Sequence, residues 1–167
     1  EPYPLLCNRA DILTFQTDPL TIDTEITGSV KVVLLVSSEA PDTDFTVKLI
    51  DVYPPSRQYP EGYHLNLTDT ILRMRYRNGW DKEVMMNPNE IYEITLKLWP
   101  ISNIFKKDHS IRLDVSSSNF PRFDINPNTG EALGKHSEMV TTQNTLWVGG
   151  DKGSRAIFPV IPHIQTL

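Results

Sequence analysis

Apolar and polar positions alternate with a period of two over most of this chain. Ile111, Leu113 and Val115 alternate with Arg112, Asp114 and Ser116, the signature of a strand with one buried face. The same pattern sets Leu13 and Phe15 against Thr14 and Gln16, and Ile26 against Glu25 and Thr27. It recurs in Phe45, Val47 and Leu49 against Thr46 and Lys48, and in Ile94, Leu96 and Leu98 against Glu93, Thr95 and Lys97. Residues 30–36 are apolar apart from Lys31 and read as a strand buried on both faces. Further strands are expected over 64–76, 140–148 and 155–161. In the first of these, Leu72, Met74 and Tyr76 share one face and Arg73, Arg75 and Arg77 the other.

Turn residues punctuate the runs: Gly28, Pro41-Asp42, the stiff Pro54, Pro55 and Pro60 loop, Asn78-Gly79, Trp99-Pro100, and the glycines at 149, 150 and 153. Each fixes φ or hydrogen-bonds its own backbone. Residues 101–107 are expected as one helical turn with Ser102 as its cap. No segment carries a 3.6-residue period over three turns. Eight or nine short strands at regular spacing predict an all-β sandwich or barrel. A jelly-roll β-sandwich, two antiparallel sheets with Greek-key connections, suits this size, and periodicity alone leaves an immunoglobulin-like sandwich open.

One stretch stands apart. After the strand at 111–115 comes SSSNFPRFDINPNTG, residues 116–130. Ser117, Asn119, Asp124, Asn126 and Asn128 bond backbone locally, so this is an ordered loop, with Phe120 and Phe123 as apolar anchors.

Composition narrows the function classes. A chain of 167 residues suffices for one domain with a full core. The formal charge of −5, with acids and bases mixed, lacks the basic footprint of a nucleic-acid binder. No apolar run approaches 18 residues, so no membrane span is expected. The opening residues EPYPLLCNRAD have neither the basic nor the apolar region of a signal peptide. Cys7 is the only cysteine, which fits a reducing, cytoplasmic setting. The chain opens on Glu1 without Met, as a processed or excised fragment would.

No catalytic constellation emerges. The Gly-x-Ser-x-Gly elbow of α/β-type serine hydrolases is missing. Ser116, Asp124 and His136 fall in the right order for a triad, but without the strand-turn-helix context they read as turn residues. Asp124-x-Asn126-x-Asn128 has the alternate oxygens of a calcium loop, yet Gly130 falls one place late and Lys135 stands where the bidentate Glu belongs. Asx-turns are the expected use of these side chains. His64, His109, His136 and His163 lack zinc spacing; no metal or cofactor is expected. Asp42 and Asp44 are expected to cap turns or meet an arginine. Arg73, Arg75 and Arg77 would repel one another unless acids lie on a neighbouring strand, or unless they grip carboxylates of a partner domain. Trp80 and Trp99 near turns would mark an interface if exposed. Asn66-Leu67-Thr68 is a glycosylation sequon.

Four runs carry a family resemblance: APDTDFTVKLIDVYP at 40–54, ILRMRYR at 71–77, IYEITLKLWPISNIF at 91–105 and SSSNFPRFDINPNTG at 116–130. Together they resemble the C-terminal domain of the CocE/NonD serine hydrolases, the group of cocaine esterases, α-amino-acid ester hydrolases and X-Pro dipeptidyl-peptidases. One departure is Asp108, where the family usually has Gly, so the backbone there is expected to be held differently. The resemblance implies a galactose-binding-domain-like jelly roll over residues 11–167, with residues 1–10 as a linker from an upstream α/β-hydrolase portion that would hold nucleophile, acid and base. It implies a non-catalytic domain that packs on that portion, helps shape the substrate cleft and can support oligomers. An exposed apolar patch is then expected near the lead-in and the polar loop. The residues expected to pin the loop or meet the partner are Asp42, Asp44, Arg73, Arg75, Arg77, Ser117, Asn119, Phe120, Asp124 and Asn126. The alternative is a free-standing binding module, with Tyr53, Tyr59, Tyr63 and Trp80 stacking on sugar rings.

Overall fold

A computed structural model describes residues 9–150 and 153–162; Cys7, His163 and nearly all of the expected linker lie outside them. The described residues form eleven strands: β1 (Ile12–Gln16), β2 (Thr24–Gly28), β3 (Lys31–Ser38), β4 (Asp44–Tyr53), β5 (Tyr63–Arg73), β6 (Tyr92–Lys97), β7 (Ile101–Phe105), β8 (Ser110–Ser116), β9 (Asn144–Trp147), β10 (Arg155–Ile157) and β11 (Val160–Ile161). The only helical piece among the described residues is the 3₁₀ turn Met74–Tyr76.

The first sheet runs β1-β8-β4-β5, antiparallel throughout. The opposite layer consists of two smaller sheets, β10-β3-β6 with β9 on β3, and β11-β2-β7, joined end to end by bent chain segments. Gly28, Ser29 and Val30 join β2 to β3, while Leu98, Trp99 and Pro100 join β6 to β7, and Leu98 N–H donates to the Val30 carbonyl at 3.0 Å across the joint. Gly28 makes the bend with φ of +128°, and a Cβ there would meet Pro159 Cγ at 3.2 Å. β2 pairs with β7 and β11, and β3 pairs with β6, β9 and β10. The result is an all-β sandwich of the jelly-roll type.

The core lies between the sheets. Val32, Leu34 and Val36 of β3 and Ile94 and Leu96 of β6 face Phe45, Val47 and Leu49 of β4 and Val115 of β8, all buried. Sequence alternation in β4, β6 and β8, and the continuous apolar run in β3, assign these residues correctly. Alternation errs on the opposite face of β4, where Thr46 is buried rather than wet. The loop after β8 folds back over that face, and Asn119 Oδ1 accepts from Lys48 Nζ at 2.6 Å while its amide donates to Asp69 at 3.0 Å.

Three local expectations change. Residues 101–105 form a strand, not a helical turn: β7 pairs with β2 from Gly28↔Ile101 to Thr24↔Phe105, and Ser102 Oγ sits 3.0 Å from Thr27 Oγ1 instead of capping. The ladder outweighs the local turn signal after Pro100. Of residues 140–148 only β9 is a strand, and Pro159, which cannot donate, separates β10 from β11. The third change concerns the arginines.

Candidate functional site

β4 begins at Asp44, opposite Arg73. Beyond Arg73 the chain has no ladder partner and turns into the 3₁₀ piece, so Arg73, Arg75 and Arg77 do not form a row on one strand face. Arg73 stays in register and forks onto Asp44, Nε to Oδ1 and Nη2 to Oδ2, both at 2.9 Å. Arg75 swings inward and is fully buried. Its backbone N–H donates to Asp42 Oδ1 at 2.9 Å and its Nε to Oδ2 at 2.7 Å. Arg77 leaves the cluster altogether: it donates to the carbonyls of Met74, Val84 and Met85 and lies over the Tyr92 ring.

Asn126 closes the arrangement. Its Nδ2 donates to Asp42 Oδ2 at 2.9 Å and to Asp44 Oδ1 at 2.8 Å, bridging the two carboxylates. Its Oδ1 accepts the Asn128 N–H at 3.0 Å, an Asx-turn that fixes the loop. Asn128 itself has φ of +63°, a conformation Asn tolerates. Two buried acids thus accept six N–H hydrogen bonds from two arginines and one amide, which is how buried charge is made tolerable. Burial pushes the Asp44 carboxyl above the usual Asp range, against the pull of Arg73 and Asn126.

The remaining loop residues divide. Asn144 Nδ2 donates to Ser117 Oγ at 2.7 Å and to Thr43 Oγ1 at 3.0 Å, stapling the loop to the β3–β4 turn. Asp124 lends its backbone carbonyl to Arg73 at 3.2 Å. Phe120 is no anchor: it stands 66% exposed, before a cis-proline. The Ser116 hydroxyl is engaged by Thr46 Oγ1 at 2.7 Å and the Ser118 carbonyl at 3.0 Å, while His136 is exposed beside Glu131. Among the described residues no group of three or more His, Cys, Asp or Glu converges as a metal site would require.

Sequence reasoning missed a second polar cluster, on the outward face of the first sheet. Arg112 forks onto Asp114 with both contacts at 2.7 Å, and Thr14 Oγ1 donates to Asp114 at 3.0 Å. Arg112 Nη1 lies 3.0 Å from His64 Nδ1, so that nitrogen is the acceptor. Burial first, then the Arg112 charge, hold His64 below the ordinary histidine range. Lys48 pairs with Asp69 on the same face at 3.5 Å. The available signal was Arg112-x-Asp114 on one strand, since i and i+2 share a face.

The aromatic residues form no platform. Tyr53 meets Tyr63 edge-on at 88°, Tyr59 meets Tyr63 at 48°, and Tyr53 packs on His109 with ring centres 4.1 Å apart. Trp80 packs on Tyr76, away from that group. His109 bonds Asp51 at 2.8 Å. Asp108 before it has φ of +69°: the backbone keeps the left-handed conformation that glycine would favour, and Asp is among the few residues that accept it. Asn66 of the sequon lies inside the β4–β5 ladder opposite Ile50. Trp80 and Trp99 are both well exposed.

An open seam runs along β1. Leu13 and Phe15 face inward beside Val115 and Leu113, yet both stay partly exposed. Between Phe15 and β9–β10 lies an apolar cavity of about 170 Å³. It adjoins a groove of about 640 Å³ lined by Asp11, Leu13, Ile125, Met139, Val140 and Asn144 among others. Val115 and Leu146 border both. This is the apolar surface expected beside the lead-in and the polar loop.

Known proteins are similar to this chain in sequence and fold. Residues 6–156 match the family described as the X-Pro dipeptidyl-peptidase C-terminal non-catalytic domain. A cocaine esterase of Rhodococcus sp. (strain MB1 Bresler) is 40% identical over 156 residues, covering 92% of this chain and 26% of that protein. Among solved structures, an α-amino acid ester hydrolase superposes with a TM-score of 0.89 at 30% identity, over 96% of this chain and 27% of its own. An aminopeptidase from a marine sediment Thaumarchaeota archaeon superposes with a TM-score of 0.89 at 26% identity, over 97% of this chain and 28% of its own. The chain therefore spans about a quarter of the length of these relatives. With the match running from before β1 into β10, the chain belongs to the family of C-terminal non-catalytic domains of the X-Pro dipeptidyl-peptidase and CocE/NonD hydrolases.

Proposed function

We propose that this domain packs on an α/β-hydrolase catalytic domain of the same protein and helps shape its substrate cleft, and that the whole protein hydrolyses carboxylic esters through an acyl-enzyme. The observation that carries this reading is the 40% identity, over 92% of the chain, to a cocaine esterase of which the chain is about a quarter. The likeness to an α-amino acid ester hydrolase supports the ester branch over the X-Pro peptide branch. The geometry agrees with a supporting role: the buried acids Asp42, Asp44, Asp51, Asp69 and Asp114 have cationic or amide partners inside the domain, so none of them is held ready as an acid or base. The test is activity of the purified parent protein on a nitrophenyl ester and on an X-Pro anilide. Ester kcat/KM at least tenfold higher is expected, and the reverse order would assign the peptidase branch. Cleft shaping is tested by Phe120→Ala in the parent. That side chain is 66% exposed in the domain, so a severalfold rise in KM at unchanged thermal midpoint is expected; unchanged kinetics would remove Phe120 from the cleft.

A further inference from the structure

We infer that the open seam along β1 is the face on which the catalytic domain seats, with Leu13 and Phe15 supplying this domain's apolar contacts. This rests on the reading above and goes beyond it by assigning the surface.

In a closed sandwich the inward side chains of an edge strand are covered by the opposite sheet. Here the opposing pieces, β9 and β10, are four and three residues long. They leave the apolar cavity and the adjoining groove uncovered. Leu13, Ile125, Met139 and Val140 line that groove and are all partly exposed. An apolar cavity opening into a groove with exposed apolar side chains, cut into the edge of a core, marks an interaction site. In the same wall Asn126 is spent on Asp42 and Asp44, and Ser117 on Asn144, while Thr141, Thr142 and Gln143 line it as well and the buried Asn144 Oδ1 has no partner among the described residues. Apolar side chains bordered by polar ones suit a protein surface as occupant.

The chain itself points to which occupant. The family places this domain C-terminal, and roughly three quarters of the cocaine esterase relative lies outside the match. In a parent so arranged, that mass connects through Arg9, Ala10 and Asp11, and Ala10 and Asp11 form the lip of the groove. A domain joined there reaches Leu13 and Phe15 without a long tether. Trp80 and Trp99 are more exposed, but neither lines the cavity or the groove.

The four methionines read this out without mutation. In the domain alone Met139 is 57% exposed and Met85 36%, while Met74 and Met86 are buried at 0% and 3%. Oxidation to the sulfoxide tracks exposure. The native parent is exposed to dilute hydrogen peroxide, and each methionine is followed by peptide mass spectrometry against the urea-unfolded parent. Slowing of Met139 by tenfold or more is expected, and any lesser slowing overturns the assignment. Leu13→Asp in the parent should then free Met139 while Met74 and Met86 stay protected. Continued protection of Met139 in that folded variant overturns it too. If Leu13→Asp unfolds, as Met74 and Met86 would reveal, the wild-type time course decides alone. The parent's intact mass separates the two claims: a parent without a catalytic domain sinks the functional reading itself, whereas exposed Met139 in a full-length hydrolase sinks only the seam.

Discussion

The polar loop and the β1 seam lie side by side, and Asn126 touches both, but they are finished in opposite ways. In the loop, charged groups are buried and satisfied: Asp42 and Asp44 are held by Arg75, Arg73 and Asn126. Along the seam, apolar groups are left partly in water, with Leu13 and Phe15 facing a cavity rather than a covering strand. The first region finds its partners within the domain, with only Arg75 Nη2 left without one among the described residues. Its energetics depend on each partner staying in place, since a buried charge, costly to desolvate even when paired, costs far more when its partner is removed. The second region loses hydrophobic free energy as it stands and would regain it on being covered. Paired polar clusters and incomplete apolar edges therefore report different things, internal specification in one case and external contact in the other.

This contrast breaks most sharply at Asp42. Asp42→Ala leaves the buried Arg75 guanidinium with only the longer 3.5 Å contact of its Nη1 to Glu83, and a stability loss of about 3 kcal/mol is expected in denaturant unfolding. Asn126→Ala shares those carboxylates, so the double variant should lose clearly less than the sum of the singles. Additive losses would show that the two acids are not one unit. At the seam the effect should be smaller. Leu13→Ser removes a side chain already half in water and should cost about 1 kcal/mol; a loss as large as that at Asp42 would mean the seam is closed core.

The smallest expected effect is a pH slope. His64 accepts from Arg112 and must stay neutral to do so. Its folded pKa lies below the ordinary 6.5 because of burial and then the Arg112 charge. The unfolded chain thus binds the proton more readily. This stability is full above about pH 6.5 and declines as pH falls through that value toward the folded pKa. Denaturant midpoints from pH 7.5 to 5.5 should fall less in His64→Gln than in the wild type, and identical slopes would remove His64 from the account.

How far the residues alone carry can be seen in the arginines. The alternation of 71–77 is real in sequence, and Arg73 opposite Asp44 satisfies the expectation of an acid on the neighbouring strand. Arg75 and Arg77 could not be placed that way. The strand ends where its partner begins, and no local pattern states where a ladder stops. Asn126 was legible as a turn former through its Asx-turn. Its amide bonds to Asp42 and Asp44 span 84 and 82 residues and have no local signature. Residues 101–105 show the converse, a local helical signal overruled by pairing with β2.

What the sequence determined by itself was the strand content and the inward set of side chains. A period of two places Phe45, Val47, Leu49, Ile94, Leu96 and Val115 in one core, because burial selects one face of each strand whatever it pairs with, and the continuous apolar run at 30–36 places Val32 and Leu34 there too. Runs such as SSSNFPRFDINPNTG carried the family as well. Only the tertiary structure decided which arginine meets which acid, that Thr46 and Arg112 are buried, and that β1 borders an open seam. Those outcomes depend on which strands become neighbours and how far each extends. Contacts between residues distant in the chain settle that, and the local order of polar and apolar positions does not encode it.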